Sequence, residues 1–348
     1  MAVATAVVLG VMGGSALADD LDPKEIYERA APATVHVLGS DSAGTGVVYD
    51  AGQGLIVTNA HVVQGQAALK AAVGDHPPAP VQVLGVDPCE DLAVLKFSAP
   101  QDGLKELKFG SSKDVETADS VTALGYPESY GDQSSAKAAF TTGSVQNSDV
   151  KNAEPSPSLP RYPDTIQHSA TLNPGNSGGP LLNGKGEVVG INTLRATGEV
   201  SGQFYAISSD HVRPLLDSLA AGDTKNDPGW NIAALSDPGL SEEFVPEDQA
   251  GIARDQKKLI NSGVDGVVVL NVRTNSPADK AHLGGGDLIT DVKDTPVTSV
   301  GDVCDILQSA APGEKLALEG VWSFNVAGTK YKFGEAWAEN LTLSPAKP

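Results

Sequence analysis

The sequence predicts a mostly β chain made of antiparallel barrels or a sandwich, and three observations carry that expectation. Short runs rich in β-branched residues recur at close spacing over 34–38, 46–49, 55–58, 81–86, 92–97, 120–124, 140–145, 188–192 and 204–207. Glycine-bearing turns separate many of these runs, and after a short opening helix almost no helical periodicity interrupts them before residue 209. Strands in such order close on one another as antiparallel sheets, whereas a parallel sheet needs a crossover helix between strands.

Taken in order, residues 2–18 are small and apolar, end in Ala16-Leu17-Ala18 and pass into Asp19-Asp20, the pattern of a secretory hydrophobic region and its cleavage site. The positive start of such a signal is missing, and the run is short for a membrane span of roughly 20 residues. Residues 1–20 are therefore expected to be a signal peptide or a membrane anchor, and the protein to be exported. A helix is expected over 23–30, with Pro23 in its first turn. After the strands, Leu215, Leu216 and Leu219 predict a helix over 209–221, and the polar stretch 223–229 reads as a linker. Beyond it come a strand over 266–272, a capped helix over 276–281, a strand over 287–292 and an amphipathic helix over 299–310. An aromatic hairpin over 321–343 follows, carrying Trp322, Phe324, Tyr331, Phe333 and Trp337.

Composition narrows the function. The 348 residues suffice for two or three domains with cores of their own. With 44 acidic against 24 basic side chains, the net charge of −20 excludes nucleic acid and anionic membrane surfaces as natural partners. Cys89 and Cys304, the only cysteines, read as two small buried residues in different domains rather than as a disulfide framework or thiolate metal site. Histidines 36, 76, 168, 211 and 282 show no metal-ligand spacing, so neither metal nor cofactor is expected.

The chemistry centres on N-P-G-N-S-G-G-P at 173–180. Glycines 175, 178 and 179 let the backbone turn tightly around Ser177 and approach a substrate closely. A serine hydroxyl needs a base in reach, a group that orients the base, and amides aimed at the developing oxyanion. His61 and Asp91 each stand where a predicted strand meets a turn, which gives the chain order His, Asp, Ser. Ser177 also satisfies G-x-S-x-G, but the esterase fold that uses this elbow places its acid and histidine after the serine.

The segments T-N-A-H-V-V (58–63), D-L-A-V-L-K (91–96), L-G-Y-P (124–127), N-P-G-N-S-G-G-P-L (173–181) and G-I-N-T (190–193) resemble those of HtrA/Deg-type serine proteases. That resemblance implies a chymotrypsin-like double β-barrel over 21–222, the linker, and a PDZ-like domain over 230–344. Within the latter, S-P-A-D-K-A-H-L-G-G-G-D-L-I (276–289) resembles part of a PDZ domain. By the same resemblance Ser177 is the nucleophile, His61 the general base and Asp91 its orienting carboxylate, with an oxyanion hole at Gly175, Asn176 and Ser177. Thr171, six residues before the serine, would floor an uncharged specificity pocket with Ser208 on its wall, favouring cleavage after small or medium aliphatic residues. His168-Ser169 stands where the family commonly has Thr-Asp. The proline-rich insertion at 147–163 resembles the family's regulatory loops. Trp230, Asn231, Ile232 and Ala233 stand in the place of its carboxylate-binding loop, which would hold hydrophobic C-terminal peptides. The implied function is an exported, ATP-independent serine endopeptidase that degrades unfolded or damaged proteins, regulated by its PDZ domain and loops and assembled as a homo-oligomer, a trimer in the family. The alternative is a non-proteolytic holdase or peptide sensor on the same fold.

Overall fold

The computed structural model of the protein describes residues 20–345 except 41–42, 67, 75, 128–136, 196–201, 225 and 325–331. The expected leader, apart from Asp20, and Tyr331 lie outside the described residues.

Helix α1 (Pro23–Ala30) opens the fold as its sequence predicts: Asp22 accepts from the Glu25 amide while Glu25 accepts from the Asp22 amide, a reciprocal cap. Strands β1 (Thr34–Leu38), β2 (Ala43–Asp50), β3 (Leu55–Thr58), β4 (Lys70–Val73), β5 (Ala79–Asp87) and β6 (Leu92–Phe97) close a barrel in the ring order β1-β2-β3-β6-β5-β4. Their β-branched and leucine side chains, Val35, Val47, Ile56 and Leu95 among them, fill its interior. The short helix α2 (Ala60–Val63) leaves the end of β3.

A second barrel repeats the plan with β7 (Ser120–Gly125), β8 (Ala139–Val150), β9 (Thr165–His168), β10 (Pro180–Leu182), β11 (Val188–Arg195) and β12 (Phe204–Ser208), in the ring order β10-β11-β12-β9-β8-β7. Helix α3 (Ser209–Ala220) then returns to the first barrel. It packs so closely that a Cβ on Gly85 of β5 would stand 2.3 Å from the Leu219 carbonyl, which explains why that position has no side chain.

The C-terminal sheet runs β13 (Trp230–Ala234), β14 (Val267–Val272), β15 (Asp287–Val292), β17 (Lys315–Trp322) and β18 (Ala336–Thr342), with β16 (Thr295–Pro296) paired to β15. Around it lie α4 (Pro246–Asn261), α5 (Pro277–Lys280) and α6 (Val300–Ser309). Of the expected aromatic hairpin, Phe324 and Phe333 pack around α4, where Phe324 meets Phe244 edge-on at 5.5 Å, while Trp337 packs in the other apolar cluster of the domain.

Several expectations are corrected here. Trp230, Asn231, Ile232 and Ala233 form no loop: they belong to β13, which pairs antiparallel with β14 from Trp230↔Val272 to Ala234↔Val267. Cys89 and Cys304 are not separate thiols but a disulfide, joining the turn before β6 to α6 across 215 positions of sequence. Folding brings the two together because Cys89 packs into the apolar cluster of the C-terminal domain. Nor does the stretch 223–229 run free: the Val86 amide donates to Asp223, and Asp227 pairs with Arg273 of the C-terminal domain.

His168 ends β9 fully buried, with Phe204 as its ring neighbour. Burial disfavours the imidazolium and pulls its pKa down to about 4. Between that value and the unfolded 6.5 the unfolded chain binds the extra proton, so this residue's contribution to stability is present above pH 6.5 and lost as the pH falls towards 4. Asp87 and Asp287, whose burial raises them to about 6, act in the opposite sense. The His168 contribution is therefore isolated by comparison with His168→Gln. In urea unfolding, wild type should lose roughly 3 kcal/mol relative to that variant between pH 6.5 and pH 4.

Candidate active site

His61, Asp91 and Ser177 arrive from different parts of the fold. Asn59 and His61 lie at the start of α2, and Asn59 Nδ2 donates to the Asp91 carbonyl at 2.9 Å. Asp91 ends a tight turn in which the Asp87 carboxylate accepts from the amides of Cys89 and Glu90. Its backbone has a φ of 50°, a conformation short polar residues tolerate best among those with a Cβ. This turn aims the Asp91 carboxylate at His61: the ring Nδ1 donates to Oδ1 at 2.9 Å and lies 3.0 Å from Oδ2, and the His61 amide donates to Oδ1 at 3.1 Å. Holding the ring proton on Nδ1 leaves Nε2 as an acceptor.

Two residues that the sequence reading had not marked as site residues complete the carboxylate's surroundings. Tyr162 donates its hydroxyl to Asp91 Oδ2 at 2.8 Å, and Thr193 Oγ1 donates to the same oxygen at 3.3 Å and lies 2.8 Å from the Tyr162 hydroxyl. Burial, reinforced by Asp91, holds the Tyr162 phenol well above its ordinary pKa, so it remains a donor. The motif G-I-N-T had contained Thr193 without naming its role. Tyr162 is the one aromatic of the proline-rich stretch 147–163, where nothing local marks it as a site residue.

The serine loop is pinned from both barrels. Thr45 of β2 donates its amide to the Ser177 carbonyl at 2.8 Å and its hydroxyl to the Gly175 carbonyl at 2.7 Å. On the other side the Gly178 amide donates to Asn192, whose own amide donates to Gly179. Gly178 has a φ of 85°, and a Cβ there would stand 2.1 Å from the Thr45 carbonyl, so glycine is required. Among the described residues the Gly175 and Ser177 amides donate to no other group, which leaves them available to an oxyanion. Asn176 lies between them with its side-chain Oδ1 buried and without a partner among the described residues. No hydrogen bond among the described residues joins Ser177 to the His61 ring.

The pocket expectation needs correction. Thr171 is exposed, with its carbonyl accepting from Thr141, while Ser208 is buried and donates to Asp164. An exposed Thr171 does not floor an enclosed pocket in this conformation. The His168-Ser169 pair also has distinct duties, since the Ser169 hydroxyl accepts from the Ser144 amide of β8 while His168 is a core residue. Among the described residues no group of side chains is arranged to hold a metal ion.

The C-terminal domain reaches this site. Trp230, Asn231 and Ile232 line the same cavity as His61 and Asp91, and Gln64 at the end of α2 donates to the Trp230 carbonyl. Burial pulls the His61 imidazole down, but the charge and hydrogen bond of Asp91, with the charge of Glu243 from the C-terminal domain, outweigh it and raise its pKa above 6.5. A titration of the His61 ring followed by nuclear magnetic resonance should have its midpoint above 6.5. Removing one negative charge in Glu243→Gln should lower it, and an unchanged midpoint would show that Glu243 exerts no field on the ring.

Comparison with known proteins agrees with this geometry. Residues 44–191 match the family model described as a trypsin-like peptidase domain, and residues 240–319 match that of a PDZ domain. The chain is 30% identical over 302 residues to the putative serine protease HhoA of Synechocystis, covering 86% of this chain and 73% of that protein. It is 29% identical over 312 residues to the serine protease Do-like HtrA of Bacillus subtilis, covering 85% and 67% respectively. The solved HtrA-type protease AlgW with a tripeptide shares the fold at a TM-score of 0.50 and 24% identity, over 93% of this chain and 97% of that one. The chain therefore belongs to the HtrA/Deg family of serine proteases, as a trypsin-like serine endopeptidase domain followed by one PDZ domain.

Proposed function

We propose that the protein is an exported, ATP-independent endopeptidase that degrades unfolded or damaged proteins, with Ser177 as nucleophile, His61 as general base and Asp91 as orienting carboxylate. The observation that carries this reading is the pairing of His61 Nδ1 with both oxygens of Asp91, beside a serine loop whose Gly175 and Ser177 amides are unengaged. In this reading Nε2 takes the Ser177 proton as Oγ attacks a peptide carbonyl, and the amides stabilise the oxyanion. His61 then protonates the departing amine, and water repeats the sequence on the acyl-enzyme.

Export is supported by the apolar leader and by the disulfide, which persists in oxidising compartments. Relatives include a probable periplasmic serine endoprotease DegP-like of Brucella suis, 33% identical over 282 residues. Assembly as a homo-oligomer, a trimer by family likeness, is consistent with Phe140, an exposed aromatic whose ring is tilted 50° against that of Tyr27. Hydrophobic C-terminal peptides are the ligands proposed for the PDZ domain, with β13 rather than a loop presenting its backbone to them. One observation favours the holdase alternative: His61 and Ser177 share no hydrogen bond among the described residues, as in a resting enzyme or an inactive one.

Fluorophosphonate labelling separates the two readings. Wild type should label and Ser177→Ala should not, whereas a folded wild type that labels neither oxidised nor reduced would overturn the endopeptidase reading. Removing the Tyr162 hydroxyl in Tyr162→Phe takes one donor from Asp91, a hydrogen bond to a charged group of about 1.5–3 kcal/mol. Peptide hydrolysis by that variant should show kcat reduced by about tenfold or more with KM little changed.

A further inference from the structure

The C-terminal domain is held against the catalytic face by the chain itself. Strand β13 lies at the edge of its sheet, and α6 packs alongside it. Residues 156–160 of the proline-rich insertion occupy the groove between them. The Ala234 amide donates to Ser158 Oγ, and the Val300 amide at the start of α6 donates to the Pro157 carbonyl. Arg161 pairs with Asp302 and Asp305 on α6, while Ser156 donates to Asp237. What is left between the domains beside His61 is a cavity of ≈ 50 Å³, room for a few waters but not for a peptide.

The disulfide lies in the wall of that cavity. Cys89 is two residues from Asp91, and Cys304 is on the face of α6 turned to the insertion. The other contacts across the boundary are hydrogen bonds, ion pairs and the apolar side chains of Leu159 and Pro160 beside Val300 and Leu307, all of which can open and reform. The covalent link is therefore the contact that thermal fluctuation cannot break.

We infer that Cys89–Cys304 is a thiol–disulfide exchange site, and that its cleavage by a dithiol releases the C-terminal domain and gives an extended chain access to His61 and Ser177. The inference rests on the endopeptidase reading for its effect on turnover, but not for the release itself. A thiolate of the dithiol attacks one sulfur, forming a mixed disulfide and expelling the other cysteine as a thiolate that takes a proton from water. The dithiol's second thiol, deprotonated, then displaces the remaining cysteine and closes the reagent's own disulfide. Two electrons pass to the protein, and the dithiol is oxidised. The cysteines are only 1% and 5% exposed, so exchange awaits partial lifting of the insertion and is slow. After cleavage, residues 223–229 still tether the domains, so redocking competes with opening. Loss of the second connection should shift that balance by about tenfold or more.

The 348-residue sequence contains no other cysteine, so a reductant acts on this bond alone. Oxidised wild type, wild type treated with dithiothreitol, and Cys304→Ser should be compared by small-angle scattering and by cleavage of unfolded casein, with Ser177→Ala as the blank. The expected result is a larger maximum dimension and roughly tenfold faster cleavage in both thiol forms. Unchanged scattering, or cleavage that falls while circular dichroism shows the fold intact, would overturn the inference. Should Cys304→Ser not fold, dithiothreitol on folded wild type decides alone. If no form cleaves casein, the endopeptidase reading fails while the scattering still decides the release.

Discussion

A buried carboxylate must find a partner for each oxygen, and in this protein meeting the needs of Asp91 draws the candidate active site together. Oδ1 accepts from the His61 amide and ring, while Oδ2 accepts from Tyr162 and Thr193. Those donors come from the start of α2, the end of the insertion and β11. The first barrel supplies Asp91 and His61, and the second supplies Tyr162 and Thr193, which complete the carboxylate's partners. Displacing one barrel from the other would strip Oδ2 of Tyr162 and Thr193. The hold on the carboxylate is complete only while both barrels are in register.

Much of this was legible in the sequence because the information is local. Alternating β-branched runs identify strands by their own period, so β1, β3, β6 and β15 match their expected ranges, as does α1 with its capping pair. The serine loop was legible because glycine is tolerated at Gly178 for a reason that any side chain would violate. Short or weakly patterned elements were not. Strand β10 has three residues, and α4 had no expectation because its apolar positions are sparse and Gly251 interrupts them.

What the sequence could not convey were the contacts made at long range. Nothing local distinguishes a buried thiol from half a disulfide when the partner is 215 positions away. Tyr162 reads as one more residue of an irregular segment until the fold carries it to Asp91. Trp230 and its neighbours were misread for a related reason. Isolated from β14 they have no strand partner, and the pairing to Val267–Val272 decides their conformation.

One carboxylate at the domain boundary has two duties. Asp302 closes the reciprocal cap that begins α6, accepting from the Ser299 amide, and it also receives the Arg161 guanidinium. Its pKa is held at about 2: burial opposes this, but Arg161 and the donors of Thr298 outweigh it. A lineage that substitutes Asp302 to loosen the domains also frays the first turn of the helix that the PDZ domain relies on. Helix integrity and domain docking are thus inherited together, and selection on either constrains the other.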